Sequence, residues 1–278
     1  MLLAFEGTGM QMWGGTSKKG LEDLSGTGSF VWRFSLLCNE DKNLVRYFPG
    51  PNVQGSNCDD IFEQAKTHYR ELKKSNAIGG STKINLVGYS RGAYIAMCFA
   101  RFLEINDISV NFLGMFDPVS VDLSMEGIIA DGSRWKEMRI PNNVKSCYIA
   151  ARSPVTGSRK TTMNSIGKKY EDGRDVLREE FPGSHAAIGG FPNQAGVGDA
   201  PNSGQGDPND IYKFDKRKEL TAWWRAGDYI SQAAFKHKLL KKSLVPQPAP
   251  KSLLPTAEWY KYVQPKAKAW ETMPYKLY

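Results

Sequence analysis

One stretch, KINLVGYSRGAYIAMCFARFLE (83–104), constrains the fold more than any other part of the chain. An apolar run ends at Gly88, and good helix formers begin at Arg91. A near-continuous apolar strand is typical of a parallel strand that is covered on both faces. Glycines two residues before and two after Ser90 suit a sharp strand-to-helix turn, where side chains would clash. The stretch therefore predicts a strand, a tight turn at Ser90 and a helix.

The same alternation of strand-like and helix-like segments extends to both sides of this stretch, and it predicts an α/β fold with a mostly parallel central sheet and helices on both faces. We expect one domain over residues 1–242, followed by a Pro-rich linker and a basic, aromatic tail over 243–278. Residues 156–210 are rich in Gly, Pro, Asn and Ser and predict long ordered loops. Further strands are expected at Met1–Phe5, Asn43–Phe48, Ser109–Phe116 and Val144–Ala151, and helices at Phe30–Cys38, 58–75, Arg91–Leu103 and Lys216–Lys242.

Charge is unevenly distributed along the chain. The net charge is +8, but residues 213–278 hold 14 basic and 5 acidic residues, a net charge of +9. This asymmetry indicates a surface that meets an anionic partner, such as lipid headgroups or nucleic acid, with a simple solvated helix and tail as the alternative. Of the anionic partners, a membrane surface is the one we expect, rather than nucleic acid.

The cysteines and the N-terminus exclude several other classes of protein. The four cysteines are scattered without a CxxC pair, which is typical of buried reduced thiols and predicts no metal site and no disulfide framework. GGSTK (79–83) lacks the spacing of a P-loop and GTGMQM lacks the third glycine of a dinucleotide-binding loop, so we expect no cofactor. The N-terminus MLLAFEGTG lacks the basic and apolar regions of a signal peptide, and no apolar run is long enough to span a bilayer. We expect a cytoplasmic protein, or one exported without a cleavable signal peptide.

A serine at a tight turn is a nucleophile only if a base lies beside it. The chain has three histidines. His68 lies among polar neighbours in a predicted helix, and His237 is surrounded by basic residues that oppose an imidazolium. His185 lies in a Gly-rich loop, FPGSHAAIGG, well after the serine. We therefore predict that Ser90 is the nucleophile and His185 is its base.

The acid that orients the histidine should come between Ser90 and His185 in the chain. Asp117 directly follows a predicted strand, at the end where functional residues of open α/β sheets collect. It is our preferred acid, although an Asp-Pro turn explains the same residue. Asp122, Asp172 and Asp175 are the competing acids.

Three segments resemble one known family. LLAFEGTGM resembles the F-D-G-T-x-N opening of the α/β hydrolases that include phospholipase effectors of bacterial type VI secretion, GYSRGAY is similar to their G-F-S-R-G-A segment, and FPGSHAAIGG is similar to their F-x-G-x-H-x-D-V-G-G segment. FDPVS and RYFPGP correspond to an Asp-Thr-Val and a Tyr-x-x-Gly-Val loop. The matches keep the family's order over about residues 1–191.

The resemblance implies an α/β-hydrolase fold in which Ser90, Asp117 and His185 are the catalytic residues. It also implies that the loop of Gly7 and Thr8, within Glu6–Gly9, forms an oxyanion hole with the N–H of Arg91. Two positions differ from the family pattern: Glu6 replaces an Asp, and Ala187 replaces an Asp two residues after the histidine.

These features predict a serine hydrolase of carboxylic esters, with lipid or phospholipid esters as the favoured substrates. The alternative hypothesis is a non-catalytic protein of the same fold that binds an anionic partner through its basic C-terminal region. The charge of residues 213–278 and the alanine at position 187 are the observations behind that alternative.

Overall fold

The computed structural model describes residues 1–8, 29–52, 57–119, 139–153, 166–191, 216–251 and 253. Several predicted features lie outside these residues: the competing acid Asp122, Gly9 of the predicted oxyanion loop, most of the loops between 156 and 210, and the aromatic tail after residue 253.

The described strands form a single six-stranded, all-parallel sheet in the order β2-β1-β3-β4-β5-β6. The prediction of an α/β fold around a mostly parallel sheet is therefore confirmed. The strands are β1 (Leu2–Phe5), β2 (Val45–Phe48), β3 (Ile84–Tyr89), β4 (Val110–Phe116), β5 (Cys147–Arg152) and β6 (Leu177–Phe181).

Helices cover both faces of this sheet, as predicted. They are α1 (Phe30–Leu37), α2 (Cys58–Lys74), α3 (Arg91–Ile105), α4 (His185–Gly189) and α5 (Lys216–Lys236). One apolar cluster joins α2 and α3 to the sheet face that carries Leu3 and Phe5, and a second joins α1, α4 and α5 to the opposite face. Successive strand residues point to opposite faces, so central strands buried on both sides read as continuous apolar runs.

Strand β6 was not predicted from the sequence. Its residues, LREEF, are mostly exposed or half-buried, and only Phe181 at the end is buried. Among the described strands it pairs only with β5, from Tyr148 opposite Leu177 onward. An edge strand with one covered end carries no apolar pattern, so its polar sequence gave no strand signal.

The last helix is shorter than predicted, because α5 ends at Lys236 rather than Lys242. Lys238 adopts a positive φ of 59°, which turns the chain out of the helix. Leu240 then pairs with the end of α1, and Leu244 and Val245 are buried in the apolar cluster of α1 and α5. Residues just after 242 therefore pack on the domain.

The parallel arrangement brings the carboxyl ends of the strands to one edge of the sheet. Glu6 follows β1, Ser90 follows β3, Asp117 follows β4, and Arg152 ends β5. In open α/β sheets this edge is where ligands bind. The residues predicted to carry chemistry are thus brought to the same place by the topology.

Candidate active site

Ser90 occupies a strained turn between β3 and α3. Its backbone has φ 56° and ψ −127°, a region that non-glycine residues rarely adopt. The turn is held by its neighbours: the Ser90 N–H donates to the carbonyl of Phe116 at 3.0 Å, and the Ser90 carbonyl accepts from the N–H of Ala93 at 3.1 Å. The serine side chain is therefore fixed at the amino end of α3.

The two glycines that flank Ser90 have no room for a side chain. A Cβ at Gly88 would lie 2.5 Å from the Cα of Ala93, and a Cβ at Gly92 would lie 2.3 Å from the carbonyl oxygens of Phe5 and Glu6. The sequence predicted such clashes at both positions. It did not predict that the second clash is with the end of β1.

His185 lies beside the serine hydroxyl. Its Nε2 is 2.8 Å from the Ser90 Oγ. The imidazole packs against the ring of Tyr89, with centroids 4.8 Å apart, and the Tyr89 hydroxyl donates to the His185 carbonyl at 3.0 Å. Only 8% of His185 is exposed, so both the ring and the main chain of this residue are held in place.

The short helix that begins with His185 is anchored by a buried carboxylate. Glu219 of α5 accepts hydrogen bonds from the N–H of Ser184, at 2.9 Å, and from its hydroxyl. The Ser184 hydroxyl in turn caps the helix by accepting from the N–H of Ala187 at 3.0 Å. Ala187 is fully buried among apolar side chains.

Asp117 completes a chain of hydrogen bonds from the serine. Its Oδ2 is 2.6 Å from the His185 Nδ1. Arg152 holds the same carboxylate twice, through its main-chain N–H at 3.0 Å from Oδ1 and through Nε at 3.3 Å from Oδ2. Burial is the largest influence and raises the pKa of Asp117, but Arg152 and His185 outweigh it and keep that pKa well below the usual range.

The competing residues lie elsewhere. Asp172 and Asp175 are exposed, and Asp172 accepts from Arg174 in a surface turn. His68 lies on α2, and His237 packs against aromatic rings beyond the end of α5. The structure thus brings together Ser90, His185 and Asp117 and none of the competing acids and histidines that it describes.

The loop that the sequence predicts as part of an oxyanion hole lies against Ser90, but the N–H of its Gly7 has another partner. A Cβ at Gly7 would lie 3.2 Å from the Ser90 Cβ, but the Gly7 N–H donates to the Glu6 carboxylate at 2.9 Å. The Thr8 hydroxyl is buried and has no hydrogen-bond partner in the described part of the chain. The Gly7 N–H is therefore engaged by Glu6 rather than directed at Ser90.

Glu6 is a buried carboxyl group that holds this loop. Besides the Gly7 N–H, it accepts hydrogen bonds from the hydroxyls of Ser29 and Tyr47. Burial raises the pKa of Glu6 to about 7, although the three hydrogen bonds oppose that shift. The group therefore changes protonation state near neutral pH.

Sequence reasoning missed Arg152, which contacts Asp117, and Glu219, which contacts Ser184. Arg152 ends a strand, so the strand-end argument that selected Asp117 could have found it. Glu219 lies in the first turn of an amphipathic helix and carried no signal that distinguishes it from a surface acid.

Two features of the described ranges concern metal binding and membrane spanning. No group of three or more His, Cys, Asp or Glu side chains there could hold a metal ion. No helix in those ranges is long and apolar enough to cross a membrane.

Comparisons with known proteins identify no family. No protein-family model and no curated protein matches the chain. Among solved structures, an uncharacterized protein from Pseudomonas aeruginosa is similar over 96% of this chain and 50% of that chain, at 14% sequence identity and a TM-score of 0.46. The chain spans about half the length of that protein.

Replacing Gly92 by alanine should destabilise the protein, because the new methyl group would meet two main-chain carbonyls of β1. We expect a loss of about 1–3 kcal/mol in the free energy of unfolding, measured by urea denaturation. The matched control is Gly79→Ala, whose Cβ would have no atom within 4 Å. Equal stability of the two variants would contradict the close contact at Gly92.

Glu6 should make stability depend on pH. Since its pKa is raised from 4.5 to about 7 on folding, the folded protein keeps a proton that the unfolded chain loses, and stability falls as pH rises through this window. We expect the free energy of unfolding of the wild type to fall by an amount on the order of 3 kcal/mol between pH 4.5 and 8 because of this group. The Glu6→Gln variant stays neutral and should not show this fall. If denaturant titrations show the same change of unfolding free energy with pH in the wild type and in Glu6→Gln, Glu6 is not the source of the pH dependence.

Proposed function

We propose that this protein is a serine hydrolase of carboxylic esters. The observation that carries the proposal is the continuous chain of contacts from the Ser90 Oγ through the His185 imidazole to the Asp117 carboxylate, with distances of 2.8 Å and 2.6 Å. A serine hydroxyl becomes a useful nucleophile when a base accepts its proton and a third group orients that base. Each of these requirements has a residue in the described site.

The first half of the reaction forms an acyl-enzyme. With Nδ1 protonated and hydrogen-bonded to Asp117, His185 accepts the Ser90 proton at Nε2 while Oγ attacks the ester carbonyl. His185 then delivers that proton to the leaving alcohol, and the carbon–oxygen bond of the ester breaks. In the second half, water loses a proton to His185 and attacks the acyl group. His185 then returns that proton to the Ser90 Oγ as the bond between Oγ and the acyl carbon breaks and the acid leaves.

The oxyanion that forms in each half needs hydrogen-bond donors that are already in position. The start of α3 supports this role for the N–H of Arg91, since the first N–H groups of a helix carry the positive end of its dipole. The buried Thr8 hydroxyl is the second donor. Gly7 contributes by its lack of a side chain, which lets the loop approach Ser90.

Lipid or phospholipid esters are the substrate class that we favour. The resemblance of the serine and histidine motifs to a phospholipase-containing family supports this choice. The end of the described chain also supports it: the Arg217 guanidinium, in the first turn of α5, donates to the carbonyl of Leu253 at 3.2 Å. Leu253 therefore lies beside the first turn of α5, whose Glu219 holds Ser184, and six Trp and Tyr residues follow Leu253 in the sequence.

A second candidate is a non-catalytic protein that binds an anionic partner. It is favoured by exposed lysines beyond the sheet's amino edge: Lys83, Lys236, Lys238, Lys241 and Lys242. Burial lowers the pKa of His237, and the charges of Lys83 and Lys236 lower it further. Salt-sensitive binding of heparin, with no esterase activity in the full chain, would favour this candidate over the hydrolase.

Replacing Ser90 by alanine should remove the nucleophile and leave the fold intact. We expect turnover of short-chain nitrophenyl esters to fall by a factor of about 10⁴ or more, and labelling by a fluorophosphonate probe to disappear. The control is Ser75→Ala, at an exposed position after α2, which should be labelled like the wild type. Undiminished labelling of the Ser90 variant would overturn the assignment.

A chain that ends at Leu253 should separate lipid binding from chemistry. This end point keeps Leu244 and Val245, which are part of the core. We expect hydrolysis of soluble short-chain esters to stay within about twofold of the full chain, and binding to vesicles containing phosphatidylglycerol to weaken by about tenfold or more. Sedimentation with vesicles measures the binding. Equal binding by both chains would contradict a role for the tail at the membrane.

A further inference from the structure

We propose that Arg152 is a positioning residue, which holds the Asp117 carboxylate toward His185 and, through its own charge, sets the acidic limit of activity. The inference rests on the proposed hydrolase function and assigns a role to a residue outside the Ser90, His185 and Asp117 group.

Both oxygens of the Asp117 carboxylate have partners. Oδ1 accepts from the main-chain N–H of Arg152, and Oδ2 lies between the His185 Nδ1 and the Arg152 Nε. Asp117 itself has a positive φ of 38°, and its N–H donates to the carbonyl of Ala150 at 2.7 Å. Rotation of the carboxylate away from His185 would therefore break contacts to Arg152 as well.

The charge of Arg152 acts where water screens little. Asp117 is 1% exposed, and 11% of the Arg152 side chain is exposed. Other charged groups on neighbouring elements have partners away from Asp117. Glu6 after β1 contacts Gly7, Ser29 and Tyr47, Glu180 on β6 contacts Arg178, and Glu179 on β6 lies near Arg225 and Asp228 of α5. Glu219 on α5 contacts Ser184, and Arg91 on α3 contacts the carbonyl of Asn52. In the described ranges, Arg152 is the permanently charged group in ion-pair contact with Asp117.

This charge opposes protonation of the base. A buried aspartate without a cation beside it stabilises the imidazolium form of the histidine that it contacts. The histidine then becomes protonated, and can no longer act as a base, at a higher pH. A guanidinium beside the same carboxylate oxygen offsets that attraction and also favours the ionised carboxylate. The repulsion between the guanidinium and the imidazolium keeps the imidazole neutral to lower pH, and the ion pair keeps the carboxylate that orients the imidazole charged. Arg152 should therefore extend activity toward acid.

The test compares two substitutions that leave the main-chain N–H in place. Arg152→Gln removes the charge, and the acidic limb of kcat/KM for a soluble nitrophenyl ester should move up by about one pH unit. Arg152→Lys keeps the charge, so its limb should stay within about 0.3 pH unit of the wild type even if the rate falls. A limb that stays in place in the Gln variant, or moves equally in both, would overturn the proposal.

A second measurement does not depend on ester hydrolysis. Nuclear magnetic resonance titration follows the three imidazoles of the chain, and the signal absent from His185→Gln identifies His185. We expect the His185 midpoint to rise in Arg152→Gln and to stay near the wild-type value in Arg152→Lys. Absence of ester hydrolysis with these shifts present would contradict the hydrolase alone, whereas hydrolysis without the shifts would contradict the role of Arg152.

Discussion

The close approach of the first turn of α3 to the end of β1 is the contact on which the candidate site depends. At Gly92 the helix lies so near the carbonyls of Phe5 and Glu6 that no side chain fits between them. This contact fixes the turn at Ser90 and brings the Glu6–Thr8 loop over the same turn. Because neighbouring parallel strands end at one edge, Asp117 and Arg152 follow at the next two strand ends. The geometry of the site is thus a consequence of backbone packing before any catalytic side chain is considered.

Three buried carboxyl groups then fix the segments around Ser90, and each has its own set of donors. Glu6 holds the Gly7 loop, Asp117 holds the imidazole of His185, and Glu219 holds the turn from which His185 projects. A buried carboxyl group without partners is costly, so each hydrogen-bond set stabilises the group that it surrounds and the loop that supplies the donors. The ionic environments differ: Asp117 has Arg152 beside it and stays charged, whereas Glu6 relies on neutral donors and its pKa rises to about 7.

Sequence reasoning succeeded where local pattern determines structure. The apolar run of β3, the glycines around Ser90 and the helix formers of α3 specify their elements without reference to distant residues. The Gly-rich setting of His185 selected the histidine that the structure places beside Ser90. It failed where partners come from far along the chain. Strand β6 forms because it pairs with the edge of β5. Helix α5 ends early because Leu240 pairs with the end of α1. Arg152 and Glu219 contact the site only because β5 and α5 pack beside it. The positions of Arg152 and Glu219 beside the site therefore depend on tertiary contacts, which the periodicity of the sequence does not encode.

The proposal that Ser90 is an activated nucleophile is tested most directly by peptide mass spectrometry, which locates the covalent adduct of a fluorophosphonate on the wild-type chain. A single adduct on the peptide that contains Ser90, formed faster as pH rises, is the predicted result. Failure to form any adduct, or an adduct on a different serine, would contradict the account.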